Sequence, residues 1–290
     1  MSPDPQARSA EELSFRVHDR SLAGVAWGDA SGVPTIALHG WMDNAASFCR
    51  LGSLLHGIRL CALDLSGHGR SQLRPALRSS HPFEHVSDVL AVADRLGWER
   101  FSIIGHSMGA NIALYLSGVV PERVHRCVLL DSFGEAGLEG RKLVERCVDA
   151  MRATLVGASP TVYETRRMMT MTRMITSKLN SAAVEAICER GAIELQGGYA
   201  WTSGPADEAA IAFTLAESVM QELLRRSSAA TLLLVAQQGH LRHRWDRMDD
   251  RIQIHPNLTV KWVPGTHGLH LGEECHEVAA IIRDFLVAND

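Results

Sequence analysis

The sequence has no long apolar run and no excess of charge of one sign. Its 29 basic residues are dispersed among 33 acidic ones, so the net charge is -4 and no basic stripe is available to bind nucleic acid. No apolar stretch approaches the length that spans a bilayer, and residues 1–8 lack the apolar segment of a signal peptide. These absences predict a cytoplasmic protein that acts on a small molecule, with neither nucleic acid nor a membrane as a partner. They make no prediction about the oligomeric state.

Cysteine is also sparse, and its distribution argues against structural bridges. The six cysteines show no C-x-x-C spacing and several fall within apolar runs, which favours buried free thiols over disulfides or zinc ligands. Fourteen histidines are present, but the sequence has neither an H-E-x-x-H motif nor a paired carboxylate cluster. We therefore expect no metal and no cofactor, although His240 and His243, like His267 and His270, are three residues apart.

What the sequence does contain is an alternation of short apolar runs with amphipathic segments. With 290 residues, of which 46% are hydrophobic, the chain can bury a sizeable core. The amphipathic segment 86–96 is a clear crossover helix. Alternation of this kind predicts an α/β fold with a mostly parallel sheet and helices on both faces, preceded by an antiparallel edge hairpin at 15–17 and 24–27. The six predicted core strands are 35–38, 60–63, 101–104, 127–130, 232–235 and 258–263.

The alternation stops between about residues 135 and 227. This stretch is mostly helix-forming and contains no convincing strand, so it predicts a helical cap, 135–227, inserted between a first part of the core, 1–134, and a second part, 228–290. Its methionine-rich piece 166–175 is expected to pack the cap on the core, since methionine fills irregular gaps. Such a cap would enclose an apolar pocket. Three cap arginines are expected to face solvent: Arg166, Arg167 and Arg173.

The strongest chemical signal is the pentapeptide 105–109, Gly-His-Ser-Met-Gly, which follows the apolar run 101–104 and precedes a helical stretch. A G-x-S-x-G turn between a strand and a helix lifts the serine hydroxyl clear of the sheet, and only small neighbours tolerate it. This context predicts a nucleophile elbow with Ser107 as the nucleophile. The backbone amides of Met108 and Trp41 are the predicted donors of an oxyanion hole. His106 and Trp41 are predicted to contact the substrate.

Three motifs in this order resemble the α/β-hydrolase superfamily: the dipeptide His39-Gly40, the string 64–71 (DLSGHGRS) and the elbow 105–109. The fuller string 39–48, HGWMDNAASF, is similar to the branch called serine hydrolase-like proteins. The resemblance covers the core of the chain and implies the α/β-hydrolase fold. In this superfamily the loop that holds Asp64 and His68 is usually a hydrogen-bonded turn that shapes the pocket, so both residues are expected to be structural.

The resemblance also places a general base on the loop that follows the last strand. His267 aligns with the family's base, whereas His270 lies three residues later at the start of the closing helix. A base must come within hydrogen-bond distance of the nucleophile, and the first turn of the loop lies nearest the elbow. His267 is therefore the predicted base, with His270 as the alternative.

The acid departs from the common pattern of the superfamily. Many members carry it after the strand that follows the cap, but Gly239 stands at that position here. Asp131 follows the strand 127–130 at the sheet edge where catalytic groups gather, and some haloalkane dehalogenases take their acid from this same strand. Asp131 is therefore the predicted acid, unless it only caps the first cap helix. The alternatives are Asp246, Asp249 and Asp250.

Together these residues predict a serine hydrolase that cleaves a small or medium, largely apolar carboxylic ester, or a related acyl bond. The reaction would use a triad of Ser107, His267 and Asp131 and would pass through an acyl-enzyme. Two alternatives use the same fold: a cofactor-free hydrolase of carbon–carbon bonds with the same triad, and a ligand-binding protein that has lost catalysis. A dehalogenase is disfavoured because it needs a carboxylate nucleophile.

Overall fold

A computed structural model describes residues 10–72, 82–135, 137–156, 160–177, 179, 181–203 and 215–288. Strands and helices alternate along most of these residues. The strands are β1 (Glu11–Val17), β2 (Arg20–Trp27), β3 (Val33–Leu38), β4 (Ile58–Leu63), β5 (Phe101–His106), β6 (Val124–Leu130), β7 (Ala192–Leu195), β8 (Gly198–Trp201), β9 (Ala230–Gln238) and β10 (Leu258–Thr266). The α-helices are α1 (Cys49–Leu54), α2 (Pro82–Arg95), α3 (Met108–Val119), α4 (Gly140–Val156), α5 (Arg166–Ser177), α6 (Ser181–Gly191), α7 (Glu217–Arg226), α8 (Asp249–Ile254) and α9 (Cys275–Val287).

Eight of the strands form one sheet in the order β1-β2-β4-β3-β5-β6-β9-β10. The pairs β1–β2 and β2–β4 are antiparallel, and all other neighbours in this sheet are parallel. Each of the six predicted core strands lies within an observed strand, and β1 and β2 form the predicted hairpin. The carboxyl ends of the parallel strands meet at one edge of the sheet, which is where open α/β sheets bind ligands.

Helices cover both faces of this sheet. Along β5, Ile103 faces a buried cluster that includes side chains of α2, α3 and α7, whereas Ile104 faces a second cluster that includes side chains of α1 and α9. Successive residues of a strand point to opposite faces, so a strand covered on both sides must be apolar at every position. This is the physical reason why the core strands appear in the sequence as continuous apolar runs.

The segment between β6 and β9 holds α4, α5, α6, a hairpin of β7 and β8, and α7. The expectation that this stretch contains no strand is wrong, because β7 pairs with β8 in antiparallel register. The turn between them is Gln196-Gly197. Gly197 and Gly198, the first residue of β8, both have a positive φ, 96° and 147°. Strands of four residues are too short to show a clear alternation, but a Gly-Gly pair is a hairpin signal that the sequence offered.

The methionine-rich helix α5 packs only in part as the sequence predicted. Met169 is fully buried in a third cluster with Val184 and Ile187 of α6 and with Leu271, which follows β10. Met168 and Met171, on the same helix, are 47% and 51% exposed. The helices α5 and α6 are thus packed against the loop that follows the last core strand.

The last helix of this segment, α7, packs differently from α5 and α6. Its buried side chains Met220, Leu223 and Leu224 belong to the cluster that covers one face of the sheet, next to α3. Among the described residues, no helix has the length and apolar character that a membrane crossing requires.

Candidate active site

Ser107 lies at a sharp turn between β5 and α3. Its φ of 52° and ψ of -113° are a backbone conformation that residues other than glycine rarely adopt. The two flanking glycines have steric reasons to be small. A Cβ at Gly105 would overlap the backbone of Ala110, and a Cβ at Gly109 would overlap the carbonyl group of Leu38. The turn predicted from the pentapeptide is therefore the one the chain adopts.

The loop after β3 lies directly beside this turn. A Cβ built on Gly40 would come within 3.3 Å of the Ser107 Cβ and within 2.9 Å of the His106 Nδ1, so the Gly40 backbone is close to the serine. Trp41 is the next residue of the loop, and Met108 is the first residue of α3. The two residues whose amides are predicted to form the oxyanion hole thus lie near the same turn, one after β3 and the other after β5.

Asp131 follows β6 and His267 follows β10, and both strands lie on the opposite side of β5 from β3. The two side chains meet at the carboxyl edge of the sheet. The Nδ1–H of His267 donates to the Oδ2 of Asp131 at 2.7 Å. The same carboxylate accepts the backbone amides of Ala236 at 3.1 Å and His240 at 2.8 Å. Asp131 is buried and has a φ of 49°, a strained value for aspartate. A carboxylate held by three donors fixes both the orientation and the tautomer of His267, and leaves the Nε2 of the ring free of a proton.

Gly239, which stands where the superfamily usually has its acid, touches this carboxylate. A Cβ at Gly239 would overlap the Cγ and both Oδ atoms of Asp131. The carboxylate of Asp131 thus occupies the space that a side chain at position 239 would need. A carboxylate at position 131 in this orientation therefore requires glycine at position 239.

The alternative candidates lie elsewhere. His270 is fully buried between Phe48 and His106, with ring centroids 5.1 Å and 4.4 Å away, and it does not line the cavity that holds Ser107. Burial lowers the pKa of His270 to about 3. Asp246 lies in a 3-10 helix after β9, and neither it nor the two aspartates that begin α8 lines that cavity.

Two histidine rings pack against His267. His240 stacks on it with a centroid distance of 3.9 Å and an interplanar angle of 19°. The ring of His106 lies 4.7 Å away at an interplanar angle of 48°, and its Nε2–H donates to the backbone carbonyl of His267 at 2.9 Å. Burial, and then the neighbouring His270 and His267, lower the pKa of His106 well below its usual value. His106 lines the cavity, where its substrate contact stays a prediction, and its hydrogen bond also holds the loop that carries His267.

A cavity of about 520 Å³ contains both Ser107 and His267. Its aromatic lining includes Trp41, from the loop that follows β3 (the oxyanion loop of the sequence prediction, residues 39–44), and Trp201, from β8. Its polar lining includes Thr172, Arg173 and Thr176 of α5. The size suits a small or medium molecule.

Arg173 contradicts the expectation that it faces solvent. Its Nη2 donates to the Oδ1 of Asp43 at 2.6 Å, and the two side chains are only 16% and 5% exposed. Burial raises the pKa of Asp43, and the charge of Arg173 opposes that rise. Sequence analysis missed this pair because its members are separated by 130 positions. No local pattern signals such a contact.

Asp64 has the structural role that was predicted for it. Its carboxylate accepts the backbone amides of Ala45 at 2.8 Å and Arg70 at 2.9 Å, and the Nε of Arg190 donates to both carboxylate oxygens at 2.9 Å. Because Asp64 is fully buried, its carboxylate depends on these donors from the described residues rather than on solvent. Arg190 belongs to α6, so this contact ties α6 to the loop that follows β4.

Comparison with known proteins places the chain in a family. A family model of the α/β hydrolase fold matches residues 34–179. The serine hydrolase-like protein of Danio rerio is 30% identical over 292 aligned residues, which cover 96% of this chain and 89% of that protein. The chain belongs to the α/β-hydrolase superfamily. Serine hydrolase-like protein 2 of Homo sapiens is 28% identical over 311 aligned residues, which cover 99% of this α/β-hydrolase and 97% of the human protein. The branch that the string HGWMDNAASF indicated is confirmed by these relatives.

Solved structures show the same fold. The crystal structure of a hypothetical protein from Pseudomonas aeruginosa PAO1 matches this α/β-hydrolase with a TM-score of 0.89 and 34% identity, over 96% of this chain and 100% of that one. A thioesterase domain from the curacin biosynthetic pathway matches with a TM-score of 0.79 and 20% identity, over 97% of this chain and 100% of the domain. The fold and the relatives support a hydrolase, which is the general class of activity predicted from the sequence.

Proposed function

We propose that this α/β-hydrolase cleaves small or medium, largely apolar carboxylic esters through a triad of Ser107, His267 and Asp131. The observation that carries the proposal is the 2.7 Å hydrogen bond from His267 to the buried Asp131, in a cavity that also holds Ser107 at its strained turn. A serine hydroxyl becomes a nucleophile when a base removes its proton, and a histidine held by a carboxylate is such a base.

The reaction has two halves with the same chemistry. As the Ser107 Oγ attacks the ester carbonyl carbon, His267 Nε2 takes the hydroxyl proton, and the carbonyl oxygen becomes an oxyanion that accepts the amides of Trp41 and Met108. When the tetrahedral intermediate collapses, the bond to the alcohol oxygen breaks and His267 returns the proton to the departing alcohol. Water then attacks the acyl-enzyme and gives a proton to His267. On collapse the bond from the acyl carbon to Ser107 Oγ breaks, His267 returns the proton to Oγ, and the carboxylic acid is released. Asp131 stabilises the imidazolium that forms in each half.

The segment 135–227 is proposed to act as the cap over this site. Its helix α5 and strand β8 contribute side chains to the cavity, and Leu179 packs where a Cβ on Gly268, the residue after the base, would have to go. Tyr163, which precedes α5, lines it as well, and the remaining residues of the cavity wall lie at the carboxyl ends of the core strands. Trp41, Trp201 and Leu271 give the cavity a largely apolar surface, which favours an apolar acyl or alcohol group.

A chain-length panel of aryl esters tests the proposal on the wild type, Ser107→Ala and Asp131→Asn. We expect Ser107→Ala to lose turnover by several orders of magnitude, and Asp131→Asn to fall by about 10³ to 10⁴, because the amide would orient His267 in the wrong tautomer. Circular dichroism and thermal unfolding of both variants serve as controls for folding. Near-normal turnover in Asp131→Asn would assign the acid to another carboxylate.

Covalent labelling separates the proposed reaction from its alternatives. A fluorophosphonate should label wild type and leave Ser107→Ala unlabelled, since the probe reacts with an activated serine. A folded wild-type protein that never labels would instead be a ligand-binding homologue. Labelling together with cleavage of a β-diketone, and without cleavage of any aryl ester, would identify a carbon–carbon bond hydrolase with the same triad.

A further inference from the structure

The Asp43–Arg173 pair is part of the cavity wall and not a surface contact. Both residues line the cavity that holds Ser107 and His267, and the two side chains are joined at 2.6 Å. Asp43 lies two residues after Trp41 on the oxyanion loop, and Arg173 lies on α5. A substrate seated on Ser107 therefore has this ion pair within the same enclosed volume.

The pair supplies the charged side chains of the described part of the cavity wall. Among the described residues that line the cavity, Asp43 and Arg173 are the only ones of the types Asp, Glu, Lys and Arg. Two of the lining histidines, His106 and His240, have pKa values lowered by burial and are neutral at neutral pH. The cavity wall thus holds one positive and one negative side chain in direct contact, and these charges cancel.

This cancellation has a consequence for the substrate. An arginine alone in a half-buried cavity attracts carboxylates strongly, because the low dielectric strengthens the interaction and a guanidinium fits a carboxylate closely. With Asp43 already bound to Arg173, an incoming carboxylate would give up its hydration and meet a negative charge as well as a positive one. An uncharged group, such as an alkyl chain or an amide, gives up far less hydration in the same place.

We propose that Asp43 determines specificity by neutralising Arg173 within the cavity, so that the site selects uncharged ester substrates over esters that carry a second, ionised carboxylate. The inference rests on the proposed function and adds a substrate class and a residue to it. The ion pair acts by disfavouring esters with a second carboxylate. Specific binding sites commonly contain such a repulsive element.

Two matched substrates isolate the effect of charge: an aryl monoester of glutaric acid, which has a terminal carboxylate, and the aryl ester of glutaramic acid, which has a terminal amide of the same size. In the wild type, kcat/KM should be at least about tenfold higher for the amide, since charge placed wrongly in a buried site is strongly disfavoured. Asp43→Asn keeps the shape of the side chain and an oxygen that can accept from Arg173. It should shift this ratio by about tenfold or more toward the glutarate, because the substitution removes the negative charge of Asp43 from beside Arg173.

A double variant and a surface variant complete the design. Asp43→Asn combined with Arg173→Gln removes both charges, so the ratio of the two substrates should return toward the wild-type value. Arg167→Gln, at an exposed position of the same helix, should leave the ratio unchanged. A pair that only held α5 to the core would change kcat/KM for both substrates together and would lower the melting temperature, without changing their ratio. An unchanged ratio in Asp43→Asn therefore overturns the inference.

A binding measurement keeps this test separate from the test of catalysis. In the Ser107→Ala background, which is expected not to turn over, calorimetry gives the dissociation constants of the two esters with and without Asp43→Asn. The same shift toward the glutarate is expected in these constants, whether or not Ser107 is a nucleophile. Failure of aryl acetate hydrolysis and of fluorophosphonate labelling would contradict the proposed function alone, whereas equal binding shifts for both esters would contradict the role of Asp43.

Discussion

Two residues on neighbouring strands, Asp131 after β6 and Gly239 after β9, share one volume at the sheet edge. The carboxylate of Asp131 fills the space beside Gly239 and accepts the amide of the following residue, His240. The proposed triad requires a carboxylate near His267, and we expect that a side chain at either position would place one there. The positive φ of Asp131 is the conformational cost of supplying it from β6.

This shared volume gives a prediction at position 239. Gly239→Ala should lower kcat for aryl esters by about 10² or more, because the new Cβ displaces the Asp131 carboxylate and with it His267.

A second prediction is that the carboxylate can be moved from position 131 to position 239. Asp131→Gly should be nearly inactive, and the double variant Asp131→Gly with Gly239→Asp should recover at least about tenfold, since glycine suits the positive φ at 131 and the carboxylate returns from the other strand. Steady-state kinetics checks both, and equal activity of the single and double variants would contradict the exchange.

At the scale of elements, α6 is joined to the core by charge as well as by apolar packing. Arg190, near its end, binds the buried Asp64 and also reaches Glu12 of β1 at 2.8 Å. On the same helix, the carbonyl of Ile187 accepts the Asn44 amide group at 2.8 Å. These contacts link α6 both to the loop that follows β4 and to the loop that follows β3. They fix the position of a segment whose neighbour, α5, lines the cavity.

The prediction at this scale concerns the buried pair. Arg190→Met should lower the free energy of unfolding by about 3–5 kcal/mol, because it leaves the carboxylate of Asp64 buried without its charged partner. Chemical denaturation measures the loss. As a matched control, Arg225→Met removes a surface pair with Glu222, whose side chains are 51% and 62% exposed, and should change stability by less than about 1 kcal/mol. Equal effects of the two substitutions would show that the Asp64 pair contributes no more than a surface contact.

At the scale of the whole molecule, several histidines are buried in their neutral form. Burial lowers the pKa of His39 and His106 well below the usual 6.5, and that of His270 to about 3. In the unfolded chain these groups regain ordinary pKa values, so between about pH 3 and pH 6.5 the unfolded state binds more protons than the folded state. The stability that they contribute is complete above pH 6.5 and is lost progressively as the pH falls below that value.

The free energy of unfolding should therefore decline below about pH 6.5, by up to about 1.4 kcal/mol per pH unit for each such histidine. His270 isolates the effect, because neither of its ring nitrogens has a hydrogen-bond partner among the described residues. His270→Leu should unfold with a shallower dependence on pH between 6.5 and 4, by about one proton, and should differ little in slope above pH 7. Urea denaturation at a series of pH values measures this. An identical slope in both proteins would mean that His270 is not neutral in the folded state.

The parts of this molecule that could be predicted are those encoded by neighbours in the sequence. The five inner strands β3, β4, β5, β6 and β9 were visible because a strand buried on both faces is apolar at nearly every residue. The elbow was visible because its turn demands glycine at 105 and 109. The hairpin of β7 and β8 was missed because each strand has only four residues. The Asp43–Arg173 pair was missed because the sequence around Arg173 contains no pattern that indicates which loop the side chain contacts.

The α/β-hydrolase fold, the strained turn at Ser107 and the set of residues that could surround it follow from the order of the amino acids, since each depends on short-range sterics or on the periodicity of apolar residues. The choice of the carboxylate that meets His267 depends instead on the packing of distant strands. Asp131 and His267 are 136 positions apart, and their contact exists because β6, β9 and β10 end at one edge of the sheet. The charge balance of the cavity was decided in the same way, because it depends on how a helix between β6 and β9 packs over the loop that follows β3.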